Sequence, residues 1–159
     1  MPNFKRAVTG LVAAITMSSI AFAAPVAAQA EPAEQSHAEI IRKLNIMLMV
    51  TSLRCRVGAH DFQAEYERFT ANYMPELQRT GAHLRNRLEA QHGKRGGRLA
   101  LDRIGVGIAK GYGGGHPWLN CEGLKSATAV LNLRHGAASL ALAADELLSP
   151  APTTQLAVR

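Results

Sequence analysis

Apolar residues recur at helical spacing along most of this 159-residue chain, and no stretch alternates apolar and polar positions as a strand would. Ser36-His-Ala-Glu39 reads as a capping box before Ile40, Ile41, Leu44, Met47, Leu48 and Val50. The block Ile46 to Val50 is apolar nearly all round, which places this first helix at the centre of the fold, and Gly58 suits its end. Asp61 can cap a second helix whose Phe62, Tyr66, Phe69 and Tyr73 share one face, an aromatic stripe that reads as core rather than a ligand groove. Pro75 either kinks that helix or starts the next, and Leu77, Leu84 and Leu88 carry the pattern to about Gln91. Gly93-Lys-Arg-Gly-Gly-Arg98 reads as a glycine-rich basic break. Leu101, Ile104, Ile108 and Tyr112 form a third pattern, in which Gly105 and Gly107 lower helix propensity and leave room for a neighbouring backbone. Pro117 suits the first turn of a fourth helix bearing Trp118, Cys121, Leu124, Thr128 and Leu131, and Ala137 to Leu148 reads as the last helix. The expectation is an all-α bundle of about five helices.

The first thirty residues read differently. Lys5 and Arg6 precede an apolar run from about Ala7 to Ala23, and Ala28-Gln29-Ala30 is a small-residue cleavage signal. The run is short and alanine-rich for a membrane anchor, so 1–30 is expected to be a cleaved Sec signal peptide and the protein periplasmic or secreted. Residues 31–149 then form a single helical domain with a polar leader at 31–35, and 150–159 a disordered tail. Without Lys5 and Arg6, 16 basic residues stand against 12 acidic ones, an excess of +4 that favours acidic partners only weakly.

An exported chain with two cysteines is expected to join them. A Cys55–Cys121 bond closes 67 residues counting both ends, worth about 4 kcal/mol in the chain-entropy model. Two free thiols or an intermolecular bond are the alternatives.

The densest concentration of unusual residues is Lys110-Gly-Tyr-Gly-Gly-Gly-His-Pro-Trp-Leu-Asn-Cys121. Consecutive glycines can direct backbone N–H groups at an anion, His116 can titrate near neutral pH, and Tyr112 and Trp118 can supply a stacking wall. Tyr112, Gly113, Gly114, Gly115, His116 and Trp118 are therefore the ligand-binding candidates. The plainer reading is a tight interhelix turn in which glycines take φ > 0, Trp118 fills core and Cys121 makes the staple. The spacing matches no phosphate loop, and no G-x-G-x-x-G follows a strand, so no cofactor is expected. His37, His60, His83, His92, His116 and His135 show no ligand spacing, so no metal is expected either. No G-x-S-x-G is present. Asp61, Glu65, Glu67, Asp102 and Glu122 are carboxylates from which nothing selects a catalytic pair. Arg85, Arg87, Lys94, Arg95 and Arg98 lack the interleaved aromatics of a nucleic-acid surface and read as solvated; no nucleic-acid partner is expected.

Met47-Leu-Met-Val-Thr-Ser-Leu-Arg-Cys55 and Tyr112-Gly-Gly-Gly-His-Pro-Trp-Leu-Asn-Cys121 resemble segments of small exported helical proteins from alphaproteobacteria, an uncharacterised family. The likeness spans about Ile40 to Ala129 and implies no catalytic residues. The functional expectation is a periplasmic binding or interaction module, envelope- or stress-related, whose partner is a protein or a small anionic ligand. The alternative is a small hydrolase of cell-envelope material using His116 with a carboxylate brought near by folding.

Overall fold

The computed structural model describes the backbone of residues 30–149 and the side chains of residues 37–149. The expected signal peptide, apart from Ala30, and the expected tail lie outside the described residues. The fold is all-α: α1 (Ala30–Cys55), α2 (Gln63–Asn72), α3 (Met74–Tyr112), α4 (Cys121–Asn132) and α5 (Ala137–Leu148).

The central helix is α1, which packs against each of the other four. Ile41, Leu44, Met47 and Leu48 are fully buried, as their spacing predicts, whereas Ile40 and Met49 face outward. Thr51 donates to the Met47 carbonyl four residues back (2.7 Å), which satisfies a buried hydroxyl inside the helix. Ser36 does not stand at the start of α1. The helical backbone already runs from Ala30, through the stretch expected to be a loose leader, so the N–H at Glu39 belongs to the helix interior. The Glu39 carboxylate is used elsewhere and accepts from Arg87 Nη2 at 2.6 Å.

The aromatic stripe of α2 is core. Phe62, Phe69 and Tyr73 are fully buried, with ring centroids of Phe69 and Tyr73 5.4 Å apart. Tyr66 is half-buried and its hydroxyl reaches Asn45 Oδ1 at 3.2 Å. Phe62 rather than Asp61 holds the cap position of α2, without a side-chain cap bond; Asp61 stands one residue earlier and accepts from the Gln63 N–H at 3.0 Å. The Tyr73 hydroxyl lies 3.2 and 2.9 Å from the carbonyl oxygens of Leu131 and Arg134. An aromatic core residue thereby reaches one C-terminal carbonyl of α4 and one in the turn that follows it. Pro75 occupies the first turn of α3, where its missing N–H costs nothing.

The largest departure from the sequence reading is at Gly93 to Arg98. Only Gly93 leaves helical geometry (φ +69°, ψ 166°), and the helix resumes at once. A continuous helix would hold residues 89 and 97 about 12 Å apart. Instead, a Cβ added at Gly97 would lie 2.6 Å from the Cα of Glu89. The second arm of α3 (94–112) therefore folds back on the first (74–92). Gly93 supplies the left-handed turn and Gly97 the close backbone approach. Lys94, Arg95 and Arg98 are helical residues, not loop residues, and all are exposed.

Two apolar clusters result. The larger joins the second half of α1 with α2, α4, α5 and Tyr112, and contains Cys55. The smaller consists of Ala38, Leu84 and Leu88, with Ala100, Leu101 and Ile104 packed against it. Cys55 and Cys121 are bonded, with their Cα atoms 5.7 Å apart, and tie the end of α1 to the start of α4.

Candidate functional site

The glycine segment leads out of α3 beside the disulfide. Tyr112 is the last residue of α3 and is buried in the larger cluster. Of Gly113, Gly114 and Gly115, only Gly115 takes a positive φ (+113°); Gly113 is right-handed helical. A side chain at position 115 would be strained by its backbone and would also meet Arg54 Nε at 3.4 Å.

Two of the three glycine N–H groups are already bonded within the chain. Gly115 N–H donates to the Tyr112 carbonyl (2.9 Å) and Gly113 N–H to the Lys110 carbonyl (3.4 Å). Two of the three donors thus close the last turn of α3, at the negative end of the helix dipole. Arg54 answers that same end, its Nη1 donating to the Gly113 carbonyl at 3.4 Å. Arg54, Gly114 and Gly115 line a cleft of about 260 Å³ that also takes in Thr51, His116, Asn120 and both disulfide cysteines.

His116 is buried, and both ring nitrogens face main-chain groups. Nε2 lies 2.9 Å from the Leu147 carbonyl oxygen and must donate to it. Nδ1 lies 3.2 Å from Leu119 N and 3.5 Å from Trp118 N, and must accept. This pattern fits the neutral ring with its proton on Nε2. The ring also stacks on Tyr112, with centroids 6.0 Å apart, and meets Trp118 edge-on at 4.6 Å. No carboxylate bonds to it among the described residues. The ring joins the glycine segment to the last turn of α5, 31 residues along the chain.

Two expectations for this segment are corrected. Trp118 is not core: it is 38 % exposed, while its neighbour His116 is buried in its place. Pro117 does not start α4 but lies in a bend. The cap is Asn120, whose Oδ1 accepts from Gly123 N–H at 2.9 Å, and α4 begins at Cys121. The Asn-x-x-Gly spacing at 120–123 is the local signal for this cap. Nothing in the sequence signals Arg54 or Leu147 as partners of the segment.

Asp102 is exposed and stands near Arg42. Burial lowers the Arg42 guanidinium from its usual value, and the Asp102 charge offsets part of that shift. Arg42 Nη2 donates to the Leu101 carbonyl at 3.5 Å. Among the described residues no group of three His, Cys, Asp or Glu side chains could hold a metal ion.

A different surface groups exposed apolar side chains near a groove. A groove of about 210 Å³ runs between α4 and α5, floored by Ala127, Leu131, Ala143 and Leu147 and edged by Arg134 and Glu146. Val130, Leu133 and Leu142 on the same two helices are 49, 81 and 66 % exposed, far more than the neighbouring helix positions that face the core. No helix among the described residues is long and apolar enough to cross a membrane. Comparison with protein-family models, curated proteins and solved structures finds no match to the chain.

Proposed function

We propose that this chain is an exported, disulfide-stapled helical module that acts by binding another protein and carries out no catalysis. The observation that carries the reading is the α4–α5 surface, where a groove lined by Ala127, the exposed Val130, Ala143 and Leu147 is bracketed by a base and an acid, and where Leu142 of α5 and Leu133 at the end of α4 are exposed as well. Exposed apolar side chains grouped around a groove and rimmed by charge are the usual form of a protein-binding surface. A helix or extended segment with apolar anchors fits such a groove. Export is supported by the pattern of residues 1–30 and by a disulfide between the two cysteines. The likeness to small exported helical proteins points the same way.

A small anion at Gly113 to Gly115 is the weaker form of the binding reading, because two of those N–H groups are already bonded. The hydrolase reading has less support still. It asks His116 to move protons, and both of its nitrogens are engaged by the main chain.

The test is crosslinking in the periplasm of an expressing host, followed by mass spectrometry. The parent protein should yield a specific partner, and Leu133→Asp/Leu142→Asp should lose it while keeping the parent's melting curve. Recovery of the same partner by the double variant, or of a strictly monomeric uncrosslinked protein throughout, contradicts the proposal.

A further inference from the structure

The second arm of α3 carries a feature that the binding groove does not explain. Residues 94–112 contain five basic side chains and one acidic one. The other residues of 30–149 carry ten basic side chains against eleven acidic ones. The positive excess of the described chain therefore resides in this one arm. At 3.6 residues per turn, Arg95, Arg98, Leu99, Arg103, Val106 and Lys110 fall on a single face. All six are exposed, while Gly97, Leu101, Ile104 and Ile108 turn to the interior. Leu99 is 49 % and Val106 46 % exposed. Both sit in the middle of the face, with the bases around them. Met49 of α1, 37 % exposed, lies beside Val106 along a shallow groove between α1 and the arm.

We propose that this face attaches the protein to an anionic phospholipid surface. Long basic side chains reach headgroup phosphates while the apolar centre enters the boundary between headgroups and acyl chains. Nucleic acid would use the same charge, but it would leave Leu99 and Val106 against a hydrated phosphate backbone, and the face has no aromatic ring to stack a base. An acidic protein would not call for two exposed apolar residues at the middle of a face whose charges are mostly cations. Asp102 is the single opposing charge on the face, and its partner Arg42 stands beside it. The attachment is peripheral. It lies on a different element from the α4–α5 groove, so either can fail without the other.

The experiment is vesicle co-sedimentation of the full oxidised chain, comparing variants so that any contribution of residues 1–29 is constant. Vesicles of phosphatidylglycerol with phosphatidylcholine should bind the protein, and pure phosphatidylcholine should bind it far less. Raising the salt to about 1 M shortens the screening length to about 3 Å and should release most of it. Each neutralised base should lower partitioning roughly fivefold, so Arg95→Gln/Arg103→Gln/Lys110→Gln should lower it about 100-fold. Leu99→Ser/Val106→Ser should cost about tenfold while leaving the salt dependence in place. All five positions are solvent-facing, and circular dichroism confirms that each variant keeps its helices. Equal binding to both vesicle types overturns the proposal, as does unchanged binding by the triple variant. So does binding by the serine pair that matches the parent, since that describes a site for any polyanion, duplex DNA included.

Discussion

The two apolar clusters of this molecule are built on opposite principles. The larger is made of bulky side chains from α1, α2, α4 and α5, with fully buried Phe62, Phe69 and Tyr73 at its centre and the disulfide at its edge. Its polar groups are satisfied: Thr51, Thr128 and Tyr73 all reach backbone carbonyls. The smaller, where the arms of α3 meet α1, has three buried apolar residues among the described ones. Close approach at Gly97 and charged groups on α1 and α3 complete it. Arg87 pairs with Glu39, and its Nε and Nη1 are buried without a hydrogen-bond partner among the described residues, as is Arg42 Nε. Volume and satisfied polar groups make the first region resistant to opening. Thin packing and half-buried cations with incompletely paired nitrogens make the second easier to open. The basic face of the second arm lies at that weaker end, whereas the groove between α4 and α5 belongs to the stronger one.

Substitutions can break this contrast. Phe69→Ala removes a ring from the centre of the larger cluster and should lower unfolding stability by about 3–5 kcal/mol in urea titration. Gly97→Val sets a branched side chain against the Glu89 backbone and should cost about 1–3 kcal/mol through a shifted second arm, leaving the disulfide region unchanged in near-UV circular dichroism. Glu39→Gln weakens the acceptor of Arg87. The carboxylate is 45 % exposed, so the loss should be about 1 kcal/mol and should shrink in high salt. The smallest effect at neutral pH is in the tyrosines. Burial raises Tyr66, Tyr73 and Tyr112 above the usual phenol value, and all three belong to or pack on the larger cluster. A group whose folded value is raised contributes fully below its unfolded value, and the contribution is lost as pH rises through the folded one. Stability should therefore hold to about pH 9 and fall above about pH 10, as the Tyr73 phenolate can no longer donate to Leu131 and Arg134.

The larger cluster is legible in the sequence because its residues repeat at helical spacing and its bond joins two cysteines with no competitors. Ile41, Leu44, Phe69, Leu124 and Leu131 are all positions that periodicity alone assigns to core. The smaller region is not legible in the same way. A run such as Gly93-Lys-Arg-Gly-Gly-Arg98 reads as a loop because glycine marks conformational freedom. Here one glycine makes the turn, and Gly97 makes room for a backbone eight residues behind. Gly105 and Gly107 do not admit a neighbouring backbone as expected: a Cβ at 105 would stand 3.1 Å from the Arg42 side chain, and 107 has nothing within 4 Å. Only the tertiary arrangement separates the two uses. The candidate site shows the same limit. The Lys110–Cys121 segment stands out in sequence, but the role of His116 depends on the Leu147 carbonyl, which no local pattern connects to it.

The most direct test of the contrast is native-state hydrogen exchange on the oxidised protein and on Cys55→Ser/Cys121→Ser. In the oxidised protein, amides of 44–55 and 121–131 should exchange only through global unfolding, and those of 84–104 through easier local openings. Removing the disulfide should lower protection in the first set by about 2–4 kcal/mol and leave the second nearly unchanged. Equal protection at the two ends of the oxidised protein, or an equal loss at both in the variant, would contradict the account.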